Sequence, residues 1–392
     1  MRNLSQLPEG VQDYLPGECA HKKRVELAIS EQFALWGYEW VETPTFEYAE
    51  VFTGGVGATG QEKLMQFIDP TGAVMALRPD LTMPIARMAA LSLGERAAVG
   101  RYCYIGQAYG RDNSRSGMQR EFTQAGIELM GMPSPQGDAE VIALAIACMQ
   151  AAGLGRVLVD IGQVEYFKGL MDQARLSAEQ AEGLRRAVES KNLLGMELIL
   201  KRTDLSGSLR DHLMQLPMLY GGEEVLSEAA KVTDHPRAVA ALENIRQVYD
   251  LLVGYGLRDS IAIDLGMVRS LDYYSGVIFR GVTDLLGQEL FSGGRYDRLC
   301  ERFGRHLPAT GFACGIGRVL AALSNQGQLA AQPRRPGVLV GYDPQDSAAA
   351  YALLSRLRAR GVIAVSCPGR EAFERQAGEY EQAQWMGGSE DA

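Results

Sequence analysis

The sequence contains no Cys-x-x-Cys spacing, and its four histidines, at 21, 212, 235 and 306, stand far apart. Six cysteines scattered over positions 19, 103, 148, 300, 314 and 367 fit neither a zinc site nor a disulfide framework, so reduced thiols and no bound metal are expected. No apolar run approaches the ~18 residues that a membrane-spanning helix needs. The opening stretch MRNLSQLPEGVQDYLP has no apolar core of signal-peptide type, so a cytoplasmic location with no membrane partner is expected. Positive charge is not in excess either. The 39 Lys and Arg residues against 48 Asp and Glu give a net charge of −9, which argues against a dominant nucleic-acid surface. What is present is ordinary for a globular chain, with 46% hydrophobic and 22% charged residues. At 392 residues it exceeds one small domain and can bury a large core.

Several segments declare their structure by periodicity. Residues 18–36 place Val25, Ile29, Phe33 and Trp36 at helical spacing, and 37–44 read as a strand running into Pro44. Residues 66–78 read as a hairpin turned at Asp69-Pro70-Thr71-Gly72, after which Pro79 opens a helix with Asp80 and Thr82 in its first turn. A helix is expected over 138–152 and a strand over 156–162. Long helical patterns such as 177–200 and 237–252 then mark an insertion at about 165–255. The sheet resumes with a strand at 260–266, and the core runs on to 325. Residues 326–336 are a linker by composition, and 337–370 read as a strand–helix–strand unit. From Glu371 onward six acids stand against one arginine, and the tail 371–392 is expected to be disordered.

The richest stretch is Gly100 to Gly131. It reads as two strands around a polar, arginine-containing turn, with Gln124, Gly126 and Glu128 on one face of the second arm and Ile127 and Leu129 on the other. With Met267-Val-Arg-Ser-Leu-Asp-Tyr-Tyr274, Ser292-Gly-Gly-Arg-Tyr-Asp297 and Ala309-Thr-Gly-Phe-Ala-Cys-Gly-Ile-Gly-Arg318, it resembles the active-site framework of histidyl-tRNA synthetase, a class II aminoacyl-tRNA synthetase. The resemblance covers residues 1 to about 325 well and 337–367 loosely. It implies an α+β fold: an antiparallel sheet with flanking helices, a helical insertion, and a small α/β C-terminal unit, truncated relative to an anticodon-binding domain. It also implies that the helix, strand and proline of 18–44 build a homodimer interface.

The same resemblance implies a binding site for histidine. Asp80 (where the family has glutamate), Thr82, Gln124 and Glu128 match positions that hold the substrate ammonium group. Tyr273 and Tyr274 match tyrosines at the imidazole end, and Arg269 matches an arginine reaching the carboxylate and α-phosphate. The bland reading of each residue alone is a solvated strand face or core tyrosines with wet hydroxyls. Together they form a polar row that is costly to bury without a ligand. The glycine turn at 292–297 implies close approach of backbone to ligand, with Arg295 equally suited to a structural ion pair.

The activating half departs from the family. Gly110 stands where an arginine clamps carboxylate and phosphate, Met118 where a second arginine stands, and Gly317 where a glutamate precedes Arg318. Losing such a guanidinium commonly costs ~10²–10³-fold in rate. Arg120 and Arg318 remain as candidates for residual phosphate binding. This combination resembles the histidyl-tRNA synthetase-like regulatory subunits of ATP phosphoribosyltransferase. The resemblance implies a chain with no catalytic residues, cofactor or tRNA partner. It would assemble with a short-form catalytic subunit in the first step of histidine biosynthesis, raise its activity, and carry feedback inhibition by L-histidine. The alternative is a divergent, active histidyl-tRNA synthetase.

Overall fold

The computed structural model describes residues 6–54, 61–92, 99–110, 119–203, 205, 207–268, 273–284, 286–329 and 335–386. The chain divides into two compact units, Met1–Leu329 and Ala330–Ala392.

The first unit is built on a nine-stranded sheet. In spatial order its strands are Glu39–Trp40, Gly100–Tyr109, Glu121–Met130, Ala309–Gly315, Phe291–Arg295, Val277–Val282, Leu158–Gln163, Ile261–Asp264 and Tyr220–Gly221. Pairing is parallel between Glu39–Trp40 and Gly100–Tyr109 and between Leu158–Gln163 and Ile261–Asp264, and antiparallel elsewhere. The expected antiparallel sheet with flanking helices is thus what forms. Its centre is the long hairpin, in register from Gly100↔Met130 to Tyr109↔Glu121.

One face of the sheet carries the main core. Cys103, Ile127, Leu129 and Phe312 pack there with residues of the helices Pro16–Leu35, Pro135–Ala151 and Ile316–Asn325, among them Ile29, Phe33, Ile142 and Val319. Strand alternation sends every second side chain to the other face, leaving Glu128, Gly126 and Gln124 there with a covering of their own. That covering holds Leu81, Ile85, Tyr104, Tyr296 and Leu299.

The helix Pro16–Leu35 buries Val25, Ile29 and Phe33. Trp36 lies just beyond it and is a third exposed, because the chain turns at Gly37 with φ +77°. There Gly37 N–H donates to Ala34 and Tyr38 N–H to Phe33, the glycine-closed helix end that leaves Trp36 outside the packed stripe. The strand after it is short, Glu39–Trp40. The hairpin of Gln66–Ile68 and Val74–Leu77 forms and pairs with Phe46–Tyr48. The helix expected from Pro79 begins instead at Thr82 (Thr82–Ser92), since the Asp80 carboxylate accepts from Met83 N–H at 3.1 Å and ends the extended backbone there. The pattern read as one helix over 177–200 is two, Ala178–Glu189 and Leu193–Leu200. Between them Lys191 adopts φ +51° and the Asn192 side chain accepts from Gly195 N–H, capping a fresh start. These belong to a run of helices from Val164 to Gly254 that also contains the two-residue strand Tyr220–Gly221. Among the described residues, no helix is long and apolar enough to cross a membrane.

The second unit is a parallel three-stranded sheet, with Arg335–Tyr342 between Ala364–Pro368 and Tyr380–Met386, and the helices Ser347–Ala359 and Arg370–Gln376. Disorder over 371–392 is therefore corrected as far as Met386; 387–392 lie outside the described residues. Two of the acids that suggested disorder, Glu371 and Glu374, lie on a helix's solvated side, paired as Arg370–Glu374 at 2.9 Å and Arg375–Glu371 at 3.1 Å. Phe373 and Tyr380 are buried, and Trp385 meets Phe373 ring to ring at 5.4 Å over the bare backbone of Gly341. Three well-spaced aromatics anchor a segment that composition alone reads as unstructured.

Candidate functional site

Glu128 is fully buried and heads a cross-strand row in which three glycines flank one isoleucine, Glu128↔Gly311↔Gly294↔Ile278↔Gly162. A Cβ on Gly311 would overlap the Glu128 carboxylate and the Ile127 carbonyl, so only glycine lets the acid lie across the neighbouring strand. The parallel row Gly126↔Ala313↔Ser292 extends this shallow floor. Tyr104 closes over Gly126, and its hydroxyl is buried without a well-formed hydrogen-bond partner. Gln124 ends the floor four residues along the strand from Glu128, ~13 Å away. Its buried carbonyl oxygen Oε1 also lacks a partner.

The acid's neighbours are hydroxyls. Tyr296 donates to Glu128 Oε2, and the Thr82 hydroxyl lies beside the same carboxylate. Asp80 lies beside them at the start of the helix Thr82–Ser92. Burial pushes the Glu128 carboxyl up to about 8, opposed by the Tyr296 and Thr82 hydrogen bonds and helped by the Asp80 charge. Burial also raises Asp80, against the lowering effect of the Met83 and Thr82 N–H groups. Among the described residues no Lys, Arg or His forms an ion pair with either acid. Among the described residues the donors to these two carboxyls are hydroxyls and amides, so each can ionise in the buried site only when a cation joins it.

Tyr273 stacks on Tyr296 at 5.5 Å and meets Tyr274 edge-on at 4.7 Å. The Tyr274 ring lies against the bare Cα of Gly294, in the same row as Glu128. Burial raises the phenols of Tyr104, Tyr273 and Tyr296 far above their ordinary range, so all three remain neutral. Asp80, Thr82, Gln124, Glu128, Tyr273 and Tyr274 are thus assembled on one face of the sheet. Arg269 lies outside the described residues, as does Met118.

The other end of the hairpin is different in kind. Gly110 is tied by its N–H to Arg120 O at 2.9 Å, and among the described residues a Cβ there would meet nothing within 4 Å. Arg120 packs beneath Gly10, whose carbonyl accepts from Arg120 N–H at 2.6 Å, and its Nε is buried without a partner. Gln119 donates to Gln12 at 2.8 Å and lies beside Gly317. Arg318 donates to the Glu289 carbonyl at 3.1 Å, with the Glu289 carboxylate 3.7 Å away.

Arg295 is structural. It is buried against Asp138 at 2.9 Å and Asp297 at 3.1 Å and also donates to the carbonyls of Met132 and Ser134. His212 is likewise a core residue, bonded to the Tyr166 hydroxyl at 2.6 Å and kept neutral by burial. Sequence reasoning missed Tyr104 and Tyr296. The signal was present as strand alternation: Tyr104 is in register with Gly126, and Tyr296 follows Gly294 by two residues.

Comparison with known proteins accords with this geometry. The family described as "Histidyl-tRNA synthetase" matches residues 10–319. The ATP phosphoribosyltransferase regulatory subunit of Acetivibrio thermocellus is 42% identical over 355 residues, covering 91% of this chain and 85% of that protein. Its counterpart in Clostridium kluyveri is 36% identical over 382 residues, 97% of each chain. The crystal structure of an ATP phosphoribosyltransferase regulatory subunit/histidyl-tRNA synthetase from Bacillus halodurans superposes with a TM-score of 0.89 at 32% identity, covering 99% of this chain and 100% of that one.

Proposed function

Because the chain belongs to the histidyl-tRNA synthetase family and, within it, to the ATP phosphoribosyltransferase regulatory subunits, we propose that it is a non-catalytic subunit that senses histidine. In this reading it assembles with the short-form catalytic subunit that joins ATP to phosphoribosyl pyrophosphate, raises that subunit's activity, and lowers it again when histidine fills the pocket. It works in the cytoplasm, binds no tRNA, and performs no aminoacylation.

The observation that carries the reading is the contrast between the two ends of the site. At one end Glu128 and Asp80 form a buried acidic pocket, both carboxyls held toward the protonated form by burial, with no cation of its own among the described residues. An amino acid's ammonium group supplies that charge, with Thr82 as a further polar partner, while Gln124 Oε1 offers an acceptor farther along the floor. Tyr273 and Tyr274 line the imidazole end. At the other end Gly110 puts hydrogen and open space where a phosphate clamp is needed, so adenylate formation lacks its stabilising guanidinium. Arg120 and Arg318 keep at most a residual affinity for phosphate, Arg318 being already engaged by Glu289.

A homodimer within the complex is supported by exposed apolar surface. Phe46 and Phe67 meet edge-on at 5.6 Å on the small sheet Phe46–Tyr48, Val74–Leu77 and Gln66–Ile68, where Tyr48, Ile68 and Val74 are also exposed. Sedimentation of the isolated chain tests this: a monomer at micromolar concentration removes it.

The functional test has two arms. Histidine-dependent ATP–pyrophosphate exchange is measured on the folded chain beside an authentic synthetase. Phosphoribosyl transfer by a short-form catalytic subunit is then titrated with the chain and with histidine. We expect no exchange, a rise in transfer on assembly, and a fall with histidine. Clear exchange restores the alternative of a divergent synthetase, and a chain that leaves the transferase unchanged refutes the regulatory reading.

A further inference from the structure

The helical insertion starts where the candidate pocket is made. Val164, the first residue of the helix Val164–Ala174, donates its N–H to Gly276 O at 3.1 Å, two residues beyond Tyr274. One turn later the helix sends Lys168 back to the same stretch, and its ammonium donates to the Tyr274 carbonyl at 3.3 Å. From the next helix, Ala178–Glu189, Arg185 Nη1 donates to the Val268 carbonyl at 3.4 Å. Two cations from two successive helices therefore grip main-chain oxygens close to the ligand-facing tyrosines.

Both cations are held in place from behind. Glu165 Oε1 is 2.9 Å from Lys168 Nζ, and its other oxygen accepts from Arg237 Nε at 2.6 Å. Arg185 is clasped by Glu182 and Glu189, each at 2.7 Å. The side chains of Lys168 and Arg185 are 22% and 15% exposed, well shielded for such long polar groups. A long side chain gives up rotamer freedom to reach a carbonyl, and the acids behind it have already restricted that freedom. The Tyr274 carbonyl belongs to the residue whose ring covers Gly294, so the Lys168 bond bears directly on how the tyrosine lies over the floor of the pocket.

We propose that Lys168 is a positioning residue through which the helical insertion fixes the Tyr273–Tyr274 backbone and registers whether the pocket is filled, with Arg185 doing the same at Val268. The proposal rests on the reading of the pocket as a histidine site. Filling the pocket presses on the Tyr274 ring, and the Lys168 bond passes the displacement to the helix Val164–Ala174. That helix lies on Pro236–Gly254 so closely that a Cβ at Gly169 would stand 2.6 Å from Ala238 N.

The test uses the full chain and its complex with the short-form catalytic subunit. Histidine affinity is measured by calorimetry on the chain, and the histidine concentration giving half-inhibition is measured on the complex, for Lys168→Met, Lys168→Arg and Arg237→Met. Circular dichroism melting checks the fold of each. Lys168→Met is expected to raise both the Kd and the half-inhibition concentration by about tenfold. Lys168→Arg, which keeps a donor in reach, returns both to within about threefold of the unaltered chain. Arg237→Met loosens Glu165 behind Lys168 without touching Tyr274, and is expected to raise both by less than Lys168→Met does, about threefold at most. Unchanged values in Lys168→Met, or equal losses in Arg237→Met, overturn the positioning role while the histidine reading stands. If the unaltered chain binds no histidine, the reading of the pocket falls and the role of Lys168 falls with it.

Discussion

Replacing Glu128 by glutamine gives the sharpest test of the pocket, because it removes a charge while keeping the side chain's shape. Glu128 is faced by Tyr104 from the first hairpin arm, Thr82 and Asp80 from the helix start, and Tyr296 and Tyr273 from across the sheet, with Cys300 beyond. None of these carries positive charge, and the carboxyl is pushed up to about 8. At pH 7 about a tenth of the empty chains then carry the carboxylate, and at pH 6 about a hundredth. If the ligand's ammonium requires that carboxylate, its apparent affinity falls about tenfold for each pH unit below 8. Binding at pH 7 expels about 0.9 proton, which calorimetry in two buffers of different ionisation heat counts directly.

The glutamine variant has no proton to lose and no charge to offer. At pH 8.5 it is expected to bind histidine about 10- to 100-fold more weakly, the worth of one charge-assisted hydrogen bond. By pH 6 the gap closes to a few-fold, because the native acid is then neutral too. Titration of histidine itself is common to both proteins and cancels in the ratio of their Kd values. A ratio that stays constant from pH 6 to 8.5, with no difference in proton release, refutes the reasoning. The empty chain offers a second check. A carboxyl whose folded value is raised from 4.5 to about 8 binds its proton more tightly folded than unfolded. Stability therefore declines as pH rises across that window, by up to about 4–5 kcal/mol for a fully buried group, and levels off above it. The glutamine variant lacks this decline.

Three other perturbations separate structural from binding groups. Arg295→Met strands the buried Asp138 carboxylate and is expected to cost about 3–5 kcal/mol, read from denaturation midpoints; a loss under about 1 kcal/mol returns Arg295 to the candidate ligands. Gly311→Ala drives a methyl into the Glu128 carboxylate and the Ile127 carbonyl, so histidine binding should fall at least about tenfold while the separate C-terminal unit keeps its amide protection. Phe373→Ala removes the anchor under Trp385 and is expected to cost about 3 kcal/mol or more, exposing amides of Tyr380–Met386 to exchange while those of Glu121–Met130 stay protected.

Much of this arrangement was legible wherever one period ran undisturbed. The alternation of Gln124, Gly126 and Glu128 against Ile127 and Leu129 identified the face on which the site is built. The count failed where two local signals competed. Pro79 suggested a first helical position, yet Asp80 holds Met83 N–H and starts the helix at Thr82. Lys191 and Asn192 break what reads as one continuous helical stripe, through a left-handed residue followed by a side-chain cap. Tyr104 and Tyr296 were legible in principle but look like ordinary core tyrosines until the register shows them converging on Glu128. Composition misled at the tail, because Phe373, Tyr380 and Trp385 act through spacing rather than number.

The two ends of the site also differ in what a substitution there disturbs. Glu128 fits only because Gly311 is glycine, and it is held by Tyr296 and Thr82, which belong to the packing of two other segments. A change at 128 strands those hydroxyls or crowds that backbone, so the acid is bound into the fold as well as into any ligand site. Position 110 has no such side-chain ties: its one described bond is made by the backbone N–H, and no described atom lies within 4 Å of a Cβ there. A side-chain change at 110 therefore leaves the described packing undisturbed, whereas a change at 128 disturbs it. On the proposed reading, that asymmetry is the physical route by which a fold suited to activating an amino acid becomes one that only binds it.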